Sequence, residues 1–143
     1  MLFLYNTGIY LYTLLIRIAS LKNKKAAAWV NGRKGLIPLI ESSLDKNKNY
    51  TWFHFASLGE FEQGRPVLER LKSDNPELPV VITFFSPSGY EIRKNYALAD
   101  HVFYLPTDTS TNAREFIRIL KPERAIFTKY EYWYHYFDEL HQH

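Results

Sequence analysis

An α/β fold is predicted, with a parallel sheet of about four strands flanked by helices and preceded by an apolar N-terminal helix. Three observations carry this. Four short segments, residues 51–56, 80–85, 101–105 and 124–128, are rich in β-branched and aromatic residues and show no polar alternation, the pattern of strands buried on both faces. Helical patterns lie between them at the spacing of right-handed βαβ units. Residues 2–19 are apolar apart from Asn6, Thr7, Gly8, Thr13 and Arg17.

The chain of 143 residues suffices for one domain with a real core. It has no cysteine, which excludes a disulfide scaffold and a thiolate metal site and fits the cytosol. The aromatic share of 17% suggests a surface that meets something half apolar. A net charge of +3 conceals an asymmetry. No acid precedes Glu41, while Arg17, Lys22, Lys24, Lys25, Arg33 and Lys34 all do. The remainder is net acidic, so nucleic acid is not an expected partner. A basic stretch directly after an apolar one suits an anionic membrane surface.

The N-terminal run is marginal in length for a membrane span, and Arg17 with the polar cluster counts against one. A cleaved signal is not expected, because the basic residues follow the apolar run. If the segment spans, its flank keeps the rest cytoplasmic. If it lies flat, the flank binds head groups. A terminal helix packed on its own domain is the third arrangement. After the turn at residues 31–35 come a short amphipathic piece, 36–44, and a polar loop, 45–49.

The first strand runs into Ser57-Leu58-Gly59-Glu60. Ser-x-x-Glu is a capping-box pattern. Gly59 and Gly64, however, make a poor first turn, and Pro66 suits the first position of a helix. On that boundary Glu60 stands in a loop above the sheet, free to act as a general base. Val67, Leu68 and Leu71 mark the helix. Ser86-Pro87-Ser88-Gly89 follows the second strand, either as a cap or as a holder of an anion or sugar hydroxyl. Tyr90 to residue 98 is helical by pattern. Pro106-Thr107-Asp108 follows the third strand, and a cap region at Thr109-Ser110-Thr111 precedes a helix with Phe116, Ile117 and Leu120 on one face. Lys129-Tyr130-Glu131-Tyr132-Trp133 follows the fourth, ahead of a helical pattern over 132–140. Glu131 is either a second ligand-facing carboxylate or a charge at a helix start. The five histidines have no metal-ligand spacing, and no metal or cofactor is expected. No Gly-rich phosphate loop is present.

Several motifs resemble one family in order along the chain. Trp52 to Glu60 resembles the W-x-H-x-x-S-x-G-E signature of 3-deoxy-D-manno-octulosonic acid (Kdo) transferases. Thr83 to Gly89 is similar to their T-x-T-P-T-G loop, with serine for threonine. Tyr104-Leu105-Pro106-Thr107-Asp108 is similar to Y-L-P-x-D, and Tyr130-Glu131-Tyr132-Trp133 overlaps E-x-E-x-W-P, with Lys129 and Tyr134 departing from it. Trp29-Val30-Asn31-Gly32-Arg33 matches W-x-x-G-R.

The resemblance implies the N-terminal half of a two-domain GT-B glycosyltransferase of Gram-negative lipopolysaccharide biosynthesis. It implies inverting transfer of Kdo from CMP-Kdo to a lipid A precursor at the cytoplasmic face of the inner membrane. Glu60 matches the catalytic base; Ser57, Gly59, Ser86, Ser88, Gly89 and Glu131 are expected to bind acceptor or support the site. The six basic residues above are expected to contact membrane or phosphate. On this reading residues 1–35 are a membrane-associated helix and flank, 36–143 a Rossmann-like acceptor domain, and the donor-binding domain lies outside this chain, which alone is expected to be inactive. The alternative is a non-catalytic membrane-associated binding module.

Overall fold

The computed structural model describes residues 1–128 and 131–143; Lys129 and Tyr130, the first residues of the fourth motif, lie outside it. Seven helices and four strands follow in the order α1 (Leu2–Ala19), α2 (Lys24–Asn31), α3 (Leu36–Ser43), β1 (Thr51–Phe55), α4 (Leu58–Asp74), β2 (Val80–Phe84), α5 (Pro87–Arg93), β3 (His101–Tyr104), α6 (Ser110–Leu120), β4 (Arg124–Phe127) and α7 (Tyr134–Gln142). The strands pair in parallel in the order β3-β2-β1-β4. All four expected strands are present, each one residue shorter at its carboxyl end.

Period-two alternation divides the core into two layers. Phe53, Phe55, Val80, Ile82 and Phe84 pack with Phe61 and Leu68 of α4. Trp52, Val81 and Phe103 pack on the other layer with Ile40 of α3, Phe116 and Leu120 of α6 and Tyr136 of α7. In α6 the buried positions 113, 116, 117 and 120 form one helical stripe, and Thr109 caps it by accepting from the Asn112 N–H.

Three helices depart from expectation. Residues 24–31, read as basic flank, form α2, capped by Asn23, whose side chain accepts from the N–H of Lys25 and Ala26. The second βα helix begins at Pro87 and ends at Arg93, earlier than the apolar pattern places it. The helix after β1 begins at Leu58, with Pro66 in its interior. An interior proline costs about 3 kcal/mol. Burial of Phe61 and Leu68 on the core face, at roughly 1.5–3 kcal/mol each, offsets that cost.

α1 lies over the carboxyl ends of the strands. The Tyr5 hydroxyl donates to Asp108 after β3, Asn6 Oδ1 sits 2.7 Å from His135 Nε2 at the start of α7, and Tyr12 stacks on Phe85 after β2. The opposite face leaves Leu4, Leu11, Leu15 and Ile18 more than half exposed. By length and mean hydropathy, 1.3, α1 is apolar enough to cross a membrane.

Candidate functional site

The strand order creates a crevice at the carboxyl edge. β1, β2 and β3 advance across the sheet in one direction, and β4 then returns to the other side of β1. Loops diverge at such a reversal, and ligands of open α/β sheets bind there. Glu60 follows β1 and Glu131 follows β4, so the two carboxylates flank this reversal, near enough that the charge of Glu131 acts on Glu60.

Glu60 is not in a free loop. It is the third residue of α4 and closes a capping box. Ser57 Oγ accepts from the Glu60 N–H at 3.5 Å, and Glu60 Oε2 accepts from the N–H groups of Ala56 and Ser57. The local pattern Ser57-x-x-Glu60 therefore prevailed over Gly59, Gly64 and Pro66. One oxygen is tethered, while Oε1 accepts no hydrogen bond among the described residues. Partial burial raises the Glu60 pKa, and the negative charge of Glu131 raises it further; the two backbone N–H bonds pull it back.

Glu131 precedes α7 and does not cap it. Its side chain, 8% exposed, accepts from the Trp133 indole and lies 3.3 Å from His54 Nε2. That approach is close without being well aligned, and Nε2 has no other partner among the described residues. His54 Nδ1 is 2.9 Å from Thr83 Oγ1, which also accepts the Trp52 indole N–H at 2.8 Å. Thr83 Oγ1 thereby bridges the Trp52 indole and one edge of the His54 ring, while the other edge, Nε2, faces Glu131. Burial holds His54 below its ordinary pKa, against the pull of Glu131. A buried Trp52–Thr83–His54 chain thus backs Glu131. In the sequence His54 is the histidine of the Trp52–Glu60 motif and a polar residue in an apolar strand, a position that demands partners.

The remaining expected residues divide. Gly59 is exposed, and a Cβ there meets only Ser57 Oγ at 3.9 Å, so packing does not demand glycine. Ser86 caps α5 by accepting from the Ser88 N–H, and the two hydroxyls lie 2.9 Å apart. A Cβ on Gly89 would fall 2.2 Å from the Phe84 ring. The serines are thus a cap, and the glycine admits a buried ring. Asp108 is buried and accepts from the N–H of His135 and Tyr136, capping α7 from a distant loop while also holding Tyr5.

The basic residues do not share one surface. Arg33 turns inward and donates to the carbonyls of Trp29, Phe85 and Leu105, while Arg17 and Lys34 line a cavity beside it. Lys25 lines a second cavity, with Tyr12, Phe85 and Ser86, and Lys22 and Lys24 are exposed. Phe85 links the two regions, 5.7 Å from Trp29 and 4.9 Å from Trp133. Among the described residues, no group of three or more His, Asp or Glu side chains is placed to hold a metal ion.

Comparison with known proteins bears on this arrangement. The family described as 3-deoxy-D-manno-octulosonic-acid transferase (kdotransferase) matches residues 28–143. A 3-deoxy-D-manno-octulosonic acid transferase of Chlamydia trachomatis serovar D is 37% identical over 90 residues, covering 62% of this chain and 21% of that protein. The enzyme of the same name from Aquifex aeolicus is 32% identical over 94 residues, 65% of this chain and 26% of its own. That of Haemophilus influenzae is 34% identical over 84 residues, 57% and 19%. The matched part of the chain is thus about a quarter or less of each of these relatives. With the match running from Ala28 to His143 across the sheet, both carboxylates and the loops that carry them, the chain belongs to the Kdo transferase family, as its N-terminal domain.

Proposed function

We propose that this chain is the acceptor-binding domain of an inverting, membrane-associated glycosyltransferase of lipopolysaccharide biosynthesis. The complete protein moves Kdo from CMP-Kdo to a lipid A precursor, and Glu60 is the general base. The observation that carries the reading is the Glu60 carboxylate at the β1–β4 reversal, tethered through Oε2 with Oε1 unengaged among the described residues. An acceptor hydroxyl is a poor nucleophile near neutral pH, and a positioned base accelerates its attack by roughly 100- to 10,000-fold. The capping box supplies the positioning, since it fixes the carboxylate to the backbone. The raised pKa strengthens the carboxylate as a proton acceptor.

In this reading the CMP-Kdo contacts come from a second domain, no cofactor is required, and residues 1–35 serve the membrane while 36–143 receive the acceptor. Because α1 is held to the domain by Tyr5, Asn6 and Tyr12, it lies in the cytoplasmic interface of the inner membrane, Leu4, Leu11, Leu15 and Ile18 facing the acyl chains. The test is Glu60→Gln in the complete enzyme, followed by transfer from CMP-Kdo to a lipid A precursor. A loss of roughly 100-fold or more is expected. Turnover within about threefold of wild type removes Glu60 from the chemistry.

A further inference from the structure

Arg33 is a cation withdrawn from water without an anion to meet it. Its guanidinium stacks 3.9 Å from the Trp29 ring centroid and 5.0 Å from those of Phe85 and Tyr104, and its three nitrogens donate to backbone carbonyls. No carboxylate is among its partners within the described residues. Burial draws its pKa down to about 9. A guanidinium has five N–H donors, so three bonds leave two unspent.

The cavity beside it, about 380 Å³, is also lined by Arg17 from α1 and Lys34 from the turn after α2; its other lining residues are uncharged. Trp29 stands in the same wall, 5% exposed, and its indole N–H has no acceptor among the described residues. Three positive charges, an unanswered N–H and no acid, beside the neutral side chains of Thr13, Thr107 and Asn112, make an enclosure rich in donors. Such an enclosure selects a small, multiply charged acceptor of hydrogen bonds.

We infer that this cavity is a phosphate monoester site, separate from the Glu60 crevice and joined to it through Phe85. The binding site stands on the cavity; only its place on a lipid acceptor rests on the function proposed above. The phosphate is borne either by a lipid or by a small soluble molecule, and Arg17, on the helix with the exposed apolar face, sits where the two sources are separable by experiment.

The probe is inorganic phosphate, added to the ¹⁵N-labelled chain at constant ionic strength with chloride as the reference. The Trp29 indole N–H cross-peak should move downfield and saturate with phosphate. The indoles of Trp52 and Trp133, already bonded to Thr83 and Glu131, should hold still. Arg17→Gln with Lys34→Gln changes two exposed side chains and should weaken phosphate binding by roughly 10- to 100-fold while preserving the rest of the spectrum.

Flotation with vesicles carrying phosphatidic acid, against phosphatidylglycerol at equal surface charge, identifies the source. Preference for phosphatidic acid, competed by free phosphate, assigns a lipid phosphate. Saturable phosphate binding without that preference assigns a soluble one. A Trp29 cross-peak that does not saturate, that moves equally in chloride, or that responds unchanged in the double variant overturns the site. The readout is binding, so its failure leaves the transfer reaction untouched, and failure of the Glu60→Gln test leaves the cavity untouched.

Discussion

Replacing Glu60 by glutamine separates its observed role as a cap from its proposed role as a base, because glutamine can close a capping box and cannot act as a base. In wild type, Oε2 accepts from the N–H groups of Ala56 and Ser57. A hydrogen bond to a charged group contributes about 1.5–3 kcal/mol and a neutral one about 0.5–1.5, so the amide oxygen of the glutamine forfeits roughly 1 kcal/mol per bond. The neutral side chain also escapes partial burial as an anion and the repulsion of Glu131, both of which act against the carboxylate and reduce the loss. A net change of about 1 kcal/mol or less is expected for the chain.

Alanine is different, since it leaves both half-buried N–H groups without an acceptor, at about 1–3 kcal/mol each. The two variants should therefore differ by about 2 kcal/mol, or roughly 4–8 °C in Tm for a chain of this size. Far-UV circular dichroism on urea and thermal unfolding reads the stability. Transfer by the complete enzyme reads the activity, where glutamine should raise the barrier by about 2.7–5.4 kcal/mol. If Glu60→Gln destabilises as much as alanine does, the box does not position the carboxylate as argued. If it unfolds normally and still transfers at near wild-type rate, Glu60 is a cap alone.

The other predictions rest on different contacts. The acid limb of kcat/KM in the complete enzyme should lie above the ordinary glutamate value, and Glu131→Gln should move it to lower pH by removing a like charge; an unmoved limb refutes the coupling. The same raised pKa gives wild type stability that is fully present below the unfolded-state value and is lost as pH rises through the folded-state value. Urea unfolding from mildly acidic to neutral pH should therefore show wild type losing ground to Glu60→Gln. Tyr5→Phe removes one donor to buried Asp108 and should cost about 1.5–3 kcal/mol, read as faster amide exchange along α1. Gly32→Ala places a Cβ 2.2 Å from the buried Tyr104 ring and should cost about 1–3 kcal/mol, whereas Gly59→Ala makes only an ordinary contact with Ser57 Oγ, at 3.9 Å, and should stabilise α4 by about 0.5–1 kcal/mol in an unfolding titration.

What could be read beforehand was local. The four strands are apolar runs bounded by turn residues, and α6 carries its cap and its stripe within one short segment. The start of α4 was obscured by Gly59, Gly64 and Pro66, each unfavourable to a helix when judged alone. The structure supplies reasons that no local pattern holds. Gly64 lets the helix approach Phe55, where a Cβ would lie 2.5 Å from the ring, and the Ser57–Glu60 box supplies the missing nucleation. α2 was hidden inside a basic stretch whose charge drew attention from its Asn23 cap. The pairing of His54 with Glu131 joins residues far apart in sequence, so only the placement of β4 beside β1 reveals it.

That placement also explains why the set of loop residues is less uniform than their common edge suggests. A parallel sheet brings every strand's carboxyl end to the same rim, but only one gap in the rim lies at the reversal of strand order. Ser86 and Asp108, after β2 and β3, stand away from it and are spent on caps for α5 and α7. Glu60 and Glu131 flank it, and there two carboxylates are kept close despite their repulsion. Arg33 favours neither of them. It is locked by three carbonyls, one of them that of Phe85, leaving the acidic crevice without a cation bonded to either carboxylate among the described residues and the basic cavity without an acid. A surface that only had to hold a membrane gains nothing from keeping these charges apart. A domain that seats an anion in one place and removes a proton in another, as proposed above, calls for that separation, and Phe85 packs between the two regions, against Trp29 of the cavity wall and against Trp133 beside Glu131.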